Sequence, residues 1–111
     1  MILELVLFKN PGGLAIAAER EAARSVVPKW VANADLIAKH FLRGEDGFGG
    51  AAYIWPSREA AAKAHDAAWR AGVKARTGSE PDIRIFDLIM SLDNMAQSVT
   101  EFKIPGEAAE T

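Results

Sequence analysis

The chain has 111 residues, half of them apolar and a quarter charged, and a net charge of −2 at pH 7. This is the size and composition of one globular domain with a single core. The acidic balance and the lack of a basic stripe argue against nucleic-acid binding. A helix that crosses a membrane needs a run of about eighteen apolar residues, and the sequence contains none. There is no cysteine, which excludes disulfides and thiolate chemistry. We expect a cytoplasmic protein whose partners include neither nucleic acid nor membrane.

The first half of the chain predicts a strand, a helix and a second strand. Residues 2–8 are apolar at nearly every position, which is typical of a strand covered on both faces, and only Glu4 interrupts them. Over residues 14–26 apolar side chains recur at helical spacing, and Pro28 is expected to end or kink this helix, because the residue before a proline avoids the α region. Residues 36–42 are interpreted as the second strand, although a helical interpretation stays open.

The second half predicts a third strand, a helix and a fourth strand. Residues 43–50 contain four glycines and two acids, which predicts a hairpin connection into a strand at residues 51–55. Ser57 is expected to cap a single helix that ends at Gly72. Residues 83–89 form the fourth strand. The second helix carries a stripe of small residues that would pack flat on a sheet: Ala60, Ala61, Ala64, Ala68 and Ala71.

The last nine residues of the chain differ in composition from the rest. Residues 103–111 have almost no apolar content, so we expect them to be a flexible C-terminal tail. The folded domain is then predicted to span residues 1–102.

The predicted order of elements is β-α-β-β-α-β, which is typical of the ferredoxin-like α+β fold. In that fold a four-stranded antiparallel sheet carries two helices on one face. The opposite face would be bare, and because strands one and four are apolar on both faces, it would expose apolar surface. We predict a homodimer that packs sheet face on sheet face, with a small hydrophobic or aromatic ligand as a further partner.

Parts of the chain also resemble a known family. The segments are residues 36–47, 49–61, 69–70 and 80–87, which include a double glycine, two strand aromatics and the Phe-Asp pair of the last strand. They resemble the YdhR-like monooxygenases of the dimeric α/β-barrel superfamily, over about residues 1–95. The resemblance implies a dimeric barrel that oxygenates a small aromatic or phenolic molecule without a cofactor. The Asn, Trp and His set of the heme-degrading barrels has no match here, which argues against heme oxygenation.

The two histidines receive different interpretations. His40 lies mid-strand, where it could act as a near-neutral base or hydrogen-bond donor, or could equally be a packed or edge histidine. His65 is expected to face solvent or a dimer partner rather than a substrate. Two separated histidines offer too few ligands for a metal, so none is expected.

Aromatic and acidic side chains complete the candidate site. Tyr53 and Trp55 share a strand face and form either the wall of a ligand site or part of the core or dimer interface. Glu4 and Asp87 interrupt neighbouring apolar strands, so each must be paired, with Lys39 or Arg84, or act as a proton acceptor of raised pKa. The resulting hypothesis makes His40 and Tyr53 catalytic, and assigns substrate binding to Trp55, Phe8, Phe86 and Glu4.

Three functional classes stay open. In a cofactor-independent monooxygenase the substrate itself supplies electrons to oxygen, and the sequence has no nucleotide fingerprint or metal cluster that would indicate a cofactor. A ligand-binding or sensing barrel would have a cavity but no turnover. A structural dimer would have solidly packed sheet faces.

Overall fold

The computed structural model describes residues 1–9 and 14–107. The elements in chain order are β1 (Ile2–Lys9), α1 (Ile16–Val31), β2 (Ala38–Arg43), β3 (Phe48–Trp55), α2 (Arg58–Ala64), α3 (Ala67–Thr77), β4 (Asp82–Asp87), β5 (Met90–Asp93) and β6 (Ser98–Glu101). Four strands form an antiparallel sheet in the order β2-β3-β1-β4. The predicted ferredoxin-like α+β fold is therefore confirmed. The boundary at residue 102 stays a prediction, and residues 108–111 of the expected tail lie outside the described residues.

The sheet has one face covered by helices, which we call the covered face. Burial alternates along its central strands, so that Glu4 of β1 and its cross-strand neighbour Tyr53 of β3 both point to this side. The core on this face consists of Ile2, Val6, Trp30, Ala51, Tyr53, Trp55, Ala60 and Ala61. Tyr53 and Trp55 are thus part of the core, and Glu4 lies next to it.

The other side of the sheet, the open face, has no helix on it among the described residues. Leu3, Leu5 and Leu7 of β1 point this way and stay half-buried, and Phe86 of β4 is 52% exposed. Ile54 of β3 lies beside Leu3 in the register. The open face is accordingly apolar along its middle, as the sequence pattern predicts.

Helix α1 continues through Pro28 to Val31, so Pro28 does not end it, and the alternative expectation of a kink stays a prediction. A proline removes one N–H donor from a helix, yet the Pro28 carbonyl still accepts a hydrogen bond from the Ala32 N–H at 3.1 Å. The turn that contains Pro28 also carries Trp30, which is buried against the sheet. The burial of that ring offsets the lost hydrogen bond.

The predicted second helix is wrong in a more consequential way, because the structure has two helices here. Helix α2 ends at Ala64, and α3 begins at Ala67 after a break at His65 and Asp66. Asp66 is the N-cap of α3, since its Oδ1 accepts a hydrogen bond from the Trp69 N–H at 2.9 Å. Gly72 lies inside α3, which ends instead at Gly78, in the left-handed region with φ 84°. Of the alanine stripe, Ala60 and Ala61 are buried whereas Ala68 and Ala71 are exposed.

Strand limits differ from the predicted ones by a few residues. Strand β2 begins at Ala38, β3 begins at Phe48, and β4 ends at Asp87. The pattern did not predict the hairpin of β5 and β6, whose strands pair with each other and not with the main sheet. Asp93 closes its turn by accepting hydrogen bonds from two backbone N–H groups.

Gly50 of β3 has a backbone conformation in which a side chain would point at the backbone of β1. Its φ is 147°, and a Cβ at this position would lie 1.8 Å from the carbonyl oxygen of Val6. Any side chain at this position would therefore clash with the backbone of β1.

Candidate functional site

A carboxylate lies at the centre of the covered face. Glu4 is only 1% exposed, and its Oε1 accepts a hydrogen bond from the indole Nε1–H of Trp55 at 2.9 Å. The same oxygen lies 2.8 Å from Nδ1 of His65. Burial of a carboxylate is costly unless it is paired in this way. The expected pairing of Glu4 with Lys39 or Arg84 is wrong, because the turn between α2 and α3 delivers an imidazole instead.

The other strand carboxylate, Asp87, is paired at the edge of the fold. Its Oδ1 accepts a hydrogen bond from the Arg58 guanidinium of α2 at 2.6 Å. This hydrogen bond, with the nearby negative charge, raises the pKa of Arg58. Asp87 therefore links β4 to α2 through this ion pair.

His65 is buried to the same extent as Glu4, at 1% exposure, so the expectation that it faces solvent or a dimer partner is wrong. It occupies the end of α2 with φ −106° and ψ 57°, which breaks the helix and turns the side chain to the sheet. Its backbone is held at both ends, since its N–H donates to the Ala61 carbonyl and its own carbonyl accepts from Arg70 Nε. The imidazole position is thus set by the backbone as well as by Glu4.

The hydrogen bond to Glu4 determines what the imidazole can do. A carboxylate only accepts, so Nδ1 of His65 carries the proton and Nε2 of the neutral ring is an acceptor. Nε2 is buried and has no hydrogen-bond partner among the described residues. An imidazole oriented by a carboxylate, with its second nitrogen unused, has the geometry of a general base.

Four aromatic rings surround this imidazole. Their centroids lie between 4.1 and 6.2 Å from that of His65, and they belong to Trp30, Tyr53, Trp55 and Trp69. Tyr53 stacks on Trp55 with 5.9 Å between ring centroids. Burial, and secondarily the charge of Glu4, raises the pKa of Tyr53. Tyr53 therefore stays a hydrogen-bond donor at every physiological pH.

Lys39 lies on β2 on the same face, opposite Tyr53 in the register. Its Nζ lies over three rings, at 4.3 Å from the centroid of Trp30, 4.3 Å from Phe41 and 4.8 Å from Tyr53. Burial, together with the charges of Lys29 and Arg76, lowers the pKa of Lys39 from 10.5 to about 8. Sequence reasoning considered Lys39 only as a partner for a carboxylate.

The residues proposed from the sequence separate into two groups. Glu4, Tyr53 and Trp55 meet on the covered face, and Phe8 is half-buried against the same core. His40 and Phe86 lie on the open face, where the first pairs with Ala52 and the second with Leu3. The sheet itself separates His40 from Tyr53, so the two cannot act on one atom within a chain. The role of His40 stays a prediction.

Two grooves lie at the end of the sheet near the β2–β3 hairpin. The larger has a volume of about 520 Å³ and is lined by Leu7, Leu42, Arg43, Gly44, Phe48 and Asp82, among others. A smaller one of about 180 Å³ lies between the start of α1 and the hairpin. Neither groove is lined by Glu4 or His65.

Within the described ranges, no three potential ligand side chains are grouped to hold a metal ion, and no helix is long and apolar enough to span a membrane.

The sheet order, with helices packed on one face, defines an α+β protein of the ferredoxin-like fold. A solved structure described as the crystal structure of antibiotic biosynthesis monooxygenase has the same fold, with a TM-score of 0.58. The two chains are 17% identical, and the match covers 80% of this chain and 99% of that one. No protein-family profile and no curated protein matches the chain. The likeness establishes the fold alone, and the YdhR-like assignment stays a prediction.

Proposed function

We propose that this protein is a cofactor-independent monooxygenase of a small aromatic or phenolic molecule, with Glu4, His65 and Tyr53 as its catalytic groups. The observation that carries the proposal is the buried Glu4–His65 pair, whose imidazole keeps Nε2 unpartnered among aromatic rings. The fold shared with a monooxygenase supports it. Tyr53 was also a catalytic candidate from the sequence, and His65 is added here as the general base.

The proposed chemistry needs a base, a hydrogen-bond donor and a dry apolar surrounding. Nε2 of His65 takes a proton from an electron-rich substrate, and Glu4 stabilises the imidazolium that forms. The substrate anion gives one electron to dioxygen, and the two radicals combine in a C–O bond. The resulting peroxide anion takes back the proton from the His65 imidazolium, and the hydroperoxide then loses water, so that a CH2 group and O2 become C=O and H2O with all electrons supplied by the substrate. The Tyr53 hydroxyl is placed to donate a hydrogen bond to the developing oxyanion.

Access to the base requires one ring to move. Trp30, Tyr53 and Trp55 are buried, whereas Trp69 is half-buried and its ring lies closest to the imidazole, at 4.1 Å between centroids. Trp69 stands at the start of α3, just beyond the helix break. We assign to it the role of the wall that yields to the substrate and then stacks on it.

The two histidines of the chain provide a matched test of this site. Oxygen consumption would be measured with 1-naphthol and anthrone as probes, on the wild type, His65→Gln and His40→Gln. Loss of a general base lowers turnover by about 100-fold or more, so we expect that loss for His65→Gln and near wild-type rates for His40→Gln. Circular dichroism would show that both variants are folded.

The remaining functional classes are outcomes of the same experiment. Quenching of tryptophan fluorescence by a probe without oxygen consumption would indicate a ligand-binding barrel. Neither quenching nor consumption would indicate a structural protein. A fall in the rate of oxygen consumption confined to His40→Gln would indicate that the active site lies on the open face.

We further propose that two copies of the chain form a homodimer through their open faces. The face is apolar along β1, where Leu3, Leu5 and Leu7 lie in a row, and burying such a surface favours association. Light scattering would show a dimer for the wild type and for His40→Ala, and a monomer for Leu5→Arg at the same concentration. A monomeric wild type would refute the proposal.

A further inference from the structure

Lys39 lies among aromatic rings on the covered face, and its amine has no part in the proposed oxygenation. Its amine lies within 4.8 Å of the centroids of three rings, from Trp30 of α1, Phe41 of β2 and Tyr53 of β3. Among the described residues, no carboxylate lies within ion-pair distance of it. The side chain is half-buried on an edge strand, so one side of the cluster is open to solvent.

We propose that Lys39 is a covalent capture site for aromatic aldehydes, held by an imine bond between its Nζ and the aldehyde carbon. The lone pair of the neutral amine attacks the carbonyl carbon, and proton transfer from nitrogen to oxygen gives a carbinolamine. This intermediate loses water to form the C=N bond, so no oxidant or reductant is needed, and water reverses the reaction. The imine forms without Glu4 or His65, although the capture site shares the Tyr53 ring with the oxygenation proposed above.

An amine must be neutral to attack, and the charges around Lys39 favour that form. Lys29 of α1 and Arg76 of α3 add to the effect of burial, which together lower its pKa to about 8. The groups that oppose this are the ring faces, which attract an ammonium, and Glu4 of β1, whose carboxylate already has Trp55 and His65 as partners. The Tyr53 hydroxyl is neutral because burial raises its pKa. At pH 7 about a tenth of an amine of pKa about 8 is neutral and free to react.

The rings explain why the aldehyde would be aromatic. An aromatic aldehyde bound to Nζ would place its own ring among those of Trp30, Phe41 and Tyr53, in offset or edge-to-face contact. A protonated imine would in turn lie over the same ring faces that attract cations. Phe41 is 44% exposed, so at least one wall of the site can be reached from solvent.

The test is competitive labelling of the full chain at pH 7. Benzaldehyde would be added with sodium cyanoborohydride, which reduces each imine to a stable benzylamine, and the lysines would be mapped by mass spectrometry. Lys63 and Lys103 are exposed internal references. An amine of pKa about 8 is about 300-fold more often neutral at pH 7 than one of 10.5. Because nucleophilicity falls with pKa, we expect labelling of Lys39 to be at least about tenfold faster than that of the references.

Two comparisons separate a built site from a merely reactive amine. Propanal has no ring, so its preference for Lys39 should be several-fold smaller than that of benzaldehyde. Phe41→Leu should reduce the benzaldehyde preference while leaving that of propanal unchanged, and His65→Gln should alter neither. Labelling of Lys39 no faster than that of Lys63, or equal preference for the two aldehydes, would overturn the proposal.

Discussion

The strongest energetic consequence of the structure concerns the buried pair of Glu4 and His65. In His65→Phe the carboxylate stays buried with Trp55 as its one remaining partner. Leaving a buried charge without its partner typically costs about 3–5 kcal/mol of stability. In Glu4→Leu the unpaired groups are instead two N–H donors, of His65 and Trp55, at about 1–3 kcal/mol each.

The double variant gives the prediction a sign. Combining Glu4→Leu with His65→Phe removes both the carboxylate and the imidazole, and only the Trp55 N–H loses a partner, at a cost of about 1–3 kcal/mol. We therefore expect the double variant to be more stable than His65→Phe alone, with a coupling energy of about 2 kcal/mol or more. Additive destabilisation, with the double variant least stable, would refute the argument that the two groups compensate each other's burial.

Equilibrium urea unfolding, followed by tryptophan fluorescence, would measure these differences. All three tryptophans of the chain, Trp30, Trp55 and Trp69, surround His65, so the signal reports on this part of the core. The protein concentration must be the same for all variants, because unfolding of a dimer depends on concentration.

Further variants test other parts of the structure. The pKa of Lys39 is lowered to about 8 in the folded protein, so between about pH 8 and pH 10 the unfolded chain binds more protons than the folded one. Stability should therefore rise with pH over this window, and Lys39→Met should flatten the rise. Above pH 10 the raised pKa of Tyr53 acts in the opposite direction, and measuring the urea midpoint as a function of pH would show both effects. Gly50→Ala places a Cβ against a carbonyl oxygen of β1 and should lower the free energy of unfolding by more than about 2 kcal/mol. Gly47 also has a positive φ, but a Cβ there meets nothing within 4 Å, so Gly47→Ala should lower it by about 1 kcal/mol. Asp66→Ala removes the cap of α3 and should lower stability in urea by about 1 kcal/mol.

The order of strands and helices could be predicted because it rests on local patterns. A nearly continuous apolar run identified β1, the apolar residues on either side of Arg84 identified β4, and the double glycine with Tyr53 and Trp55 identified β3. The end of α1 could not be predicted in this way, since Pro28 disfavours a helix locally and the burial of Trp30 is a tertiary effect. The strands of the β5–β6 hairpin are four residues each and exposed throughout, so the short alternation of Met90, Ser91, Leu92 and Asp93 is a weak signal for a strand.

The candidate site was only half predicted, and the missing half had a signal. Asp66, three residues before Trp69, is a typical N-cap, and it marked a helix start inside what the pattern treated as one helix. The open-face position of His40 depends on the register of β2, which begins at Ala38, and a shift by one residue would have reversed its face. Position in a strand is therefore easier to predict than the face that a side chain occupies.

The pairing of Glu4 with His65 shows why single residues mislead in this core. His65 follows Ala61 by four residues, so a helix places both on the same apolar face. A histidine on such a face is nevertheless predicted to be exposed when no partner that would allow its burial is known. Glu4, considered alone, calls for a basic partner on a neighbouring strand. Each residue is costly to bury by itself, and the two become compatible with burial only when the helix break brings Nδ1 to Oε1 at 2.8 Å. The break after Ala64, which shortens a good helix, is therefore the feature that places the proposed base among the rings.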